Sequence, residues 1–210
     1  LDIQKHNIAI DNPYRFFKIP NLEVKEIYLD KSELNTLMEY TEHFAPTSKE
    51  YQILKMYQFS CFCGLRFSDA MDLEWRQIDF KNNLIRKVMI KTKTEVITPL
   101  FPMACEILLE KIRNKAINES DKVFYQFSEP TVNQTLRKQT RLAGIDKHIT
   151  YHSSRHTFAT LLVMDGVDIY KISKYLGHKS VNMTQRYLKY DLSIAKESAK
   201  DISTFSGNNG

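Results

Sequence analysis

Residues 152–166 read HSSRHTFATLLVMDG. Thr150 or Ser153 can cap a helix start here, Phe158, Leu161, Leu162 and Val163 supply core-facing apolar positions, and Gly166 supplies a stop. The stretch is predicted to be a strong amphipathic helix, and its neighbours extend the same theme. Downstream, Asp168 caps a short helix ending at Gly177, and Ser180 caps another over VNMTQRYLKY, residues 181–190. Upstream, Ser128 or Thr131 opens a helix that ends at Gly144, and Pro102 opens one running to about Asn118. Between 84 and 100 the pattern changes: LIRKVMI and EVITPL read as two strands around the polar turn KTKT. Ser68 can cap a helix over SDAMDLEW, a helix fits 49–63 with Gly64 as its stop, and the first helix starts near Asp30 or Ser32. The expected fold is mostly α with a small antiparallel β-sheet, an α+β domain.

The chain has 210 residues, 42% of them hydrophobic and 26% charged, so it can bury a substantial core and is not a disordered chain. No stretch approaches the ~20 apolar residues of a membrane span, and no membrane partner is expected. Cys61, Cys63 and Cys105 are too few for a disulfide framework, which suits a reducing, cytoplasmic compartment. Net charge is +5 but uneven. Residues 21–50 carry seven acids against three lysines, whereas 81–100 carry five bases against Glu95 and 151–190 six bases against Asp165 and Asp168. Polarity of this kind fits a nucleic-acid surface if the basic segments meet in space, and ordinary solvated lysines if they do not.

Four of the six histidines fall between 148 and 178. His148, His152 and His156 have the i, i+4, i+8 spacing of a metal-binding face, but Ile149 and Thr150 make a poor helix interior and no HExxH glutamate is present, so no metal site is expected. His152 and Arg155, three apart near a helix start, suit an anion instead: a guanidinium forks onto two phosphate oxygens and backbone N–H groups add to the field. Further pieces surround them. Arg66 follows the stop at Gly64, with Asp69 three residues on. Lys91 lies at the turn between the strands. His178 follows Leu176 and Gly177, and Tyr187 comes nine residues after it.

Together, Gly64-Leu65-Arg66-Phe67-Ser68-Asp69, Lys91-Thr92-Lys93 with Pro99-Leu100, residues 152–160, Leu176-Gly177-His178 and Tyr187 resemble the tyrosine recombinase (phage integrase) family, in particular the catalytic domain of a mobile-element integrase. Two positions depart from the commoner pattern: Ser153-Ser154 stand where Asp-Leu is frequent, and Asp69 where Glu is frequent. The resemblance implies a site-specific recombinase that cuts and rejoins DNA through a 3′-phosphotyrosyl intermediate without metal or other cofactor. It implies Tyr187 as nucleophile and Arg66 and Arg155 as clamps on the non-bridging oxygens. His152 would accept the tyrosine proton, His178 would hydrogen-bond the phosphate, Lys91 would protonate the departing 5′-oxygen, and Asp69 would fix Arg66 or His152. Tyr190, Tyr175 and Tyr151 compete with Tyr187, and Lys93 with Lys91. His156 reads as structural, behind Arg155, and Trp75 as core.

The implied organisation is a lead-in over 1–22 from a core-binding domain, a catalytic domain over 23–190, and a C-terminal helix or tail over 191–210 that could dock on a neighbouring subunit. The implied partners are double-stranded DNA, other recombinase subunits in a tetrameric synapse, and accessory DNA-bending proteins, in a bacterial cytoplasm at the nucleoid. Two other functions fit parts of the pattern: a topoisomerase-like strand transferase, and a non-catalytic DNA-binding module in which the short helices 168–176 and 180–190 imitate a helix-turn-helix.

Overall fold

In the computed structural model, residues 27–113 and 116–187 are described. The expected lead-in over 1–22, the tail over 191–210 and Tyr190 lie outside them. The first helix, α1 (Lys31–Thr41), starts at Asp30, whose side chain accepts from the Glu33 N–H while the Glu33 carboxylate accepts from the Asp30 N–H. This reciprocal cap satisfies two donors that a helix start otherwise strands. Helix α2 (Lys49–Cys63) forms the centre of the domain and is buried on nearly every side from Ile53 to Cys63. It packs against α1, α4 (Pro102–Ile112), α5 (Glu129–Leu142) and α6 (Tyr151–Met164).

A three-stranded antiparallel sheet in the order β1 (Ile78–Asp79), β2 (Leu84–Val88), β3 (Glu95–Pro99) lies to one side. Its pairing sets Arg86 opposite Ile97 and Lys87 opposite Val96. Val96 and Thr98 point inward, and β3 packs against α7 (Ile169–Tyr175). The last described helix is the single turn α8 (Asn182–Gln185). The architecture is thus mostly helical with a small antiparallel sheet. Among the described residues no helix is long and apolar enough to cross a membrane.

Two glycines bring the functional segments close. Gly64 ends α2 at φ 68°, and a Cβ there would lie 2.5 Å from the Phe158 ring of α6. Gly177 follows α7 at φ 59°, and a Cβ there would lie 2.6 Å from Val96 of β3. Both positions need a left-handed backbone and a missing side chain at once.

Several elements differ from the sequence-based expectation. The helix expected over SDAMDLEW is only α3 (Phe67–Met71), and its cap position is Arg66, not Ser68. It stops because the chain beyond it pairs in extended form: Leu73 O accepts from Val123 N, and Trp75 N donates to Asp121 O. The same pairing shortens α4, since Asn118 and Asp121 form the turn that feeds it. Helix α6 is not amphipathic over its first half. Tyr151 and every residue from Ser153 to Thr160 are buried, because α2, α5 and α7 all press on it. The final helix starts at Asn182, not at a Ser180 cap, and Tyr187 stands on the turn after it.

Candidate functional site

Arg155 sits at the junction of the two cores and is 2% exposed. Its Nη1 donates to Gly64 O at 2.7 Å, and its Nη2 donates to Leu176 O. One guanidinium therefore ties together the end of α2, the end of α7 and the body of α6. Two of its five N–H donors go to these carbonyls, which fixes the plane in which the rest are presented. Burial, and next the charge of Arg66, pull the Arg155 guanidinium down to about 9, while Tyr187 and Asp69 pull the other way. It stays protonated at neutral pH.

A cleft of about 310 Å³ opens in front of it, walled by Leu65, Arg66, Lys91, His152 and Arg155 among others. Four of the expected residues thus meet on one concave surface. Arg66 reaches it because α2 ends at Gly64 and the chain turns at once into α3. Asp69, fully buried on α3, accepts from the Ile90 N–H through Oδ1 at 2.8 Å. Its Oδ2 faces Arg66 Nη1 at 3.9 Å, and neither of these two buried atoms makes a hydrogen bond. Asp69 thereby joins the segment bearing Arg66 to the turn bearing Lys91. Arg66 also lines the cleft, and a guanidinium there suits an anion.

His178 and Tyr187 are not on that wall. Tyr187 is 1% exposed and belongs to a second, smaller core with Phe158, Ala159, Val163, Ile172 and Leu176. His156 Nδ1 lies 3.1 Å from Tyr187 Oη, and the Arg186 guanidinium lies 5.5 Å from the centre of the Tyr187 ring. His178 Nδ1 is 2.7 Å from Thr184 Oγ1. His152 is exposed, and its ring meets that of His156 edge to face at 4.6 Å. The structure therefore sets His156 against the Tyr187 hydroxyl, the place the sequence reading gave to His152. The signal was the four-residue step from His152, which puts both rings on one side of α6. Thr184 carried no signal.

The basic content of 81–100 also needs revision. Lys87 is 2% exposed and turned inward, with Nζ 2.9 Å from Asp72 Oδ2, so it adds nothing to a basic surface. Trp75 is buried core. Among the described residues no group of three or more His, Cys, Asp or Glu is arranged to hold a metal ion.

The phage integrase family model matches residues 27–192. The chain belongs to the phage integrase family. Among relatives of this family member, a tyrosine recombinase of Pseudothermotoga lettingae is 30% identical over 190 residues, which are 89% of this chain and 64% of that protein. The chain thus spans under two thirds of that relative. Among solved structures, XerH recombinase bound to its difH substrate has a TM-score of 0.65 at 21% identity, over 86% of this chain and 56% of that one. The catalytic domain of bacteriophage HP1 integrase has a TM-score of 0.60 at 20% identity, over 85% of this chain and 96% of that one. These likenesses establish the fold as that of phage integrase catalytic domains.

The burial of two histidines has a consequence for stability. Burial, followed by the charges of His152, Arg186, Arg155 and His178, pushes the His156 imidazole down to about 3. Burial, followed by Arg155, Arg66 and Arg186, pushes His178 to about 3 as well. An unfolded histidine titrates near ~6.5. Between those limits the unfolded chain binds more protons, so stability falls as pH drops from about 6.5 toward 3. The urea midpoint is expected to be lower at pH 4.5 than at pH 7, and His178→Gln is expected to flatten that dependence. An unchanged slope in the variant would contradict the burial of a neutral imidazole at 178.

Proposed function

We propose that this phage integrase family member is a site-specific DNA recombinase that cleaves and rejoins strands through a 3′-phosphotyrosyl link. The observation that carries the reading is the cleft that a buried, locked Arg155 lines with Arg66, Lys91 and His152, with the Tyr187 hydroxyl held by His156, the residue after Arg155. A phenol of ordinary pKa near ~10 is a weak nucleophile at neutral pH, so it needs a strong positive field. Arg66 and Arg155 supply that field and stabilise charge on the non-bridging oxygens as phosphorus becomes five-coordinate.

In the cleavage step the bond from Tyr187 Oη to phosphorus forms and the bond to the 5′-oxygen breaks. The phenol proton passes to a base, for which exposed His152 is the candidate. The Lys91 ammonium gives a proton to the leaving 5′-oxygen. His178 hydrogen-bonds a phosphate oxygen, and Asp69 keeps Arg66 and the Lys91 turn in register. Rejoining runs the steps backwards from a different 5′-hydroxyl. No step calls for a metal, because two guanidiniums carry the charge, and cleavage is expected to persist in EDTA. The partners proposed are double-stranded DNA and further copies of the protein on paired sites. The substrate proposed is the end of a mobile element, in keeping with the phage origin of the HP1 neighbour.

The role of Lys91 gives a direct test. Lys91→Ala is expected to slow cleavage of an all-oxygen duplex about 10²-fold, the scale of a lost general acid. On a duplex whose bridging 5′-oxygen is sulfur, a leaving group that needs no proton, the variant is expected to match wild type within a few-fold. Equal defects on both substrates would remove Lys91 from that role. A plasmid with two sites separates recombination from simple relaxation: deletion circles are expected, and relaxation without them would favour a topoisomerase.

A further inference from the structure

We infer that His156 is the positioning residue for the nucleophile: the hydrogen bond between its Nδ1 and Tyr187 Oη sets where the attacking oxygen points. The inference rests on the reading that Tyr187 attacks a phosphodiester, and it adds a residue outside the set of groups that meet the phosphate.

The geometry is specific. His156 lies one helical turn beyond His152 on α6, so a rigid and almost wholly buried helix carries it. Arg155, the residue before it, is clamped to Gly64 O and Leu176 O, so the backbone at 156 has little freedom to shift. Tyr187, by contrast, stands on a turn after the four-residue helix α8, an element with little stiffness of its own. A tyrosine on such a turn needs tertiary contacts to hold its hydroxyl. A contact of this kind among the described residues is the one to His156 Nδ1 at 3.1 Å, made by a residue 31 positions away. With Oη–H donating to Nδ1, the oxygen lone pairs are directed away from His156 and remain available to attack.

The surroundings suit an acceptor rather than a base. His156 is buried among Arg155, Arg186, His152 and His178, which keeps the ring neutral and its Nδ1 lone pair available for the phenol proton. A ring held so far below the phenol in proton affinity does not retain the proton once the oxygen attacks. The proton then goes to another group, and the exposed ring of His152, in edge contact with His156, is the candidate named above. His156 therefore acts through Tyr187, and it does not touch DNA.

The test compares His156→Leu, which removes the acceptor, with His156→Asn, whose amide can place a polar atom near the original Nδ1. The probe is a nicked duplex library with a randomised centre, scored for covalent protein–DNA adduct, in all-oxygen form and with a bridging 5′-sulfur. His156→Leu is expected to slow adduct formation about 10- to 30-fold, within what misplacement of a reacting group costs, with non-covalent DNA affinity unchanged within twofold. His156→Asn is expected to recover most of that loss. The sulfur substrate is expected to leave the His156→Leu defect in place while relieving that of Lys91→Ala, because the two act on opposite sides of phosphorus. If His156→Leu lowers the melting temperature by more than about 10 °C, His156→Met, closer in length, replaces it in the comparison. A His156→Leu rate within twofold of wild type overturns the inference, as does His156→Asn no faster than His156→Leu, or relief of the defect by sulfur. A faster His156→Leu would show the contact to be a restraint on the tyrosine, which also overturns it. Wild-type protein that forms no adduct removes the proposed function itself, an outcome distinct from all of these.

Discussion

Tyr187→Phe is expected to form no covalent adduct with DNA while binding duplex with unchanged affinity. The substitution removes one oxygen and nothing else. That oxygen is the only part of the ring that can make a bond to phosphorus, so the loss is complete and not a matter of degree. The phenyl ring keeps its place among Phe158, Val163, Ile172 and Leu176, so the second core survives. What changes locally is that His156 Nδ1 loses the Tyr187 hydroxyl contact, at a cost of about 1 kcal/mol for a buried hydrogen bond. A gel-shift titration beside a denaturing gel separates the two effects. An adduct that persists in Tyr187→Phe would move the chemistry to another tyrosine, and weakened binding with no change in folding would give Tyr187 a direct DNA contact instead.

Arg155→Ala is expected to lower the cleavage rate about 10³-fold, the upper range for removing one preorganised charge-stabilising donor. The buried position makes the loss larger than for a surface arginine, because water cannot stand in for it with the same orientation. Arg155→Lys is expected to be nearly as poor. An ammonium is a point charge without a planar fork, so it cannot hold Gly64 O, Leu176 O and a phosphate at once. Both variants also leave one or two buried carbonyls short of a donor, at about 1–3 kcal/mol each. Single-turnover cleavage, measured beside a urea titration, separates the catalytic loss from the structural one. A rate reduced less than tenfold in a folded Arg155→Ala would overturn its assignment.

These expectations rest on features that the sequence shows to very different degrees. Helix starts at Asp30, Ser128 and Asp168 and the stop at Gly64 were legible because a cap is local: the residue that satisfies the stranded N–H, or tolerates a left-handed backbone, lies within a few positions of it. The hairpin around Lys91 was legible for the same reason. The strand-like pairing of Leu73–Trp75 with residues 121–123 was not, since its partners are some 50 residues apart, as in the Glu74–Lys122 bridge. Neither was the burial of Lys87, which depends on Asp72 waiting beneath the sheet. Helix α6 misleads in a different way. Its serines and threonines and His156 suggest a polar face, yet they are buried: Ser153 Oγ meets Tyr57 Oη at 2.8 Å, and Thr157 Oγ1 accepts from Leu29 N at 2.9 Å.

For the candidate site, the family resemblance implied Arg66, Lys91, His152, Arg155, His178 and Tyr187, and the first four of these share a cleft. Spacing could not say that Tyr187 rests away from that cleft's wall, nor which histidine its hydroxyl meets, because both depend on how a short turn after α8 packs against α6. Residues 31 apart in sequence decide that contact.

The central claim is that Tyr187 becomes covalently joined to DNA. The most direct measurement is to incubate the chain in EDTA with a randomised nicked duplex library, recover protein–DNA adducts under denaturing conditions, and map the linkage by mass spectrometry. A 3′-phosphate on Tyr187, with a free 5′-hydroxyl on the released strand, is the predicted result. An adduct on a different residue, a 5′-linked adduct, or cleavage that appears only when a divalent metal is restored would contradict it.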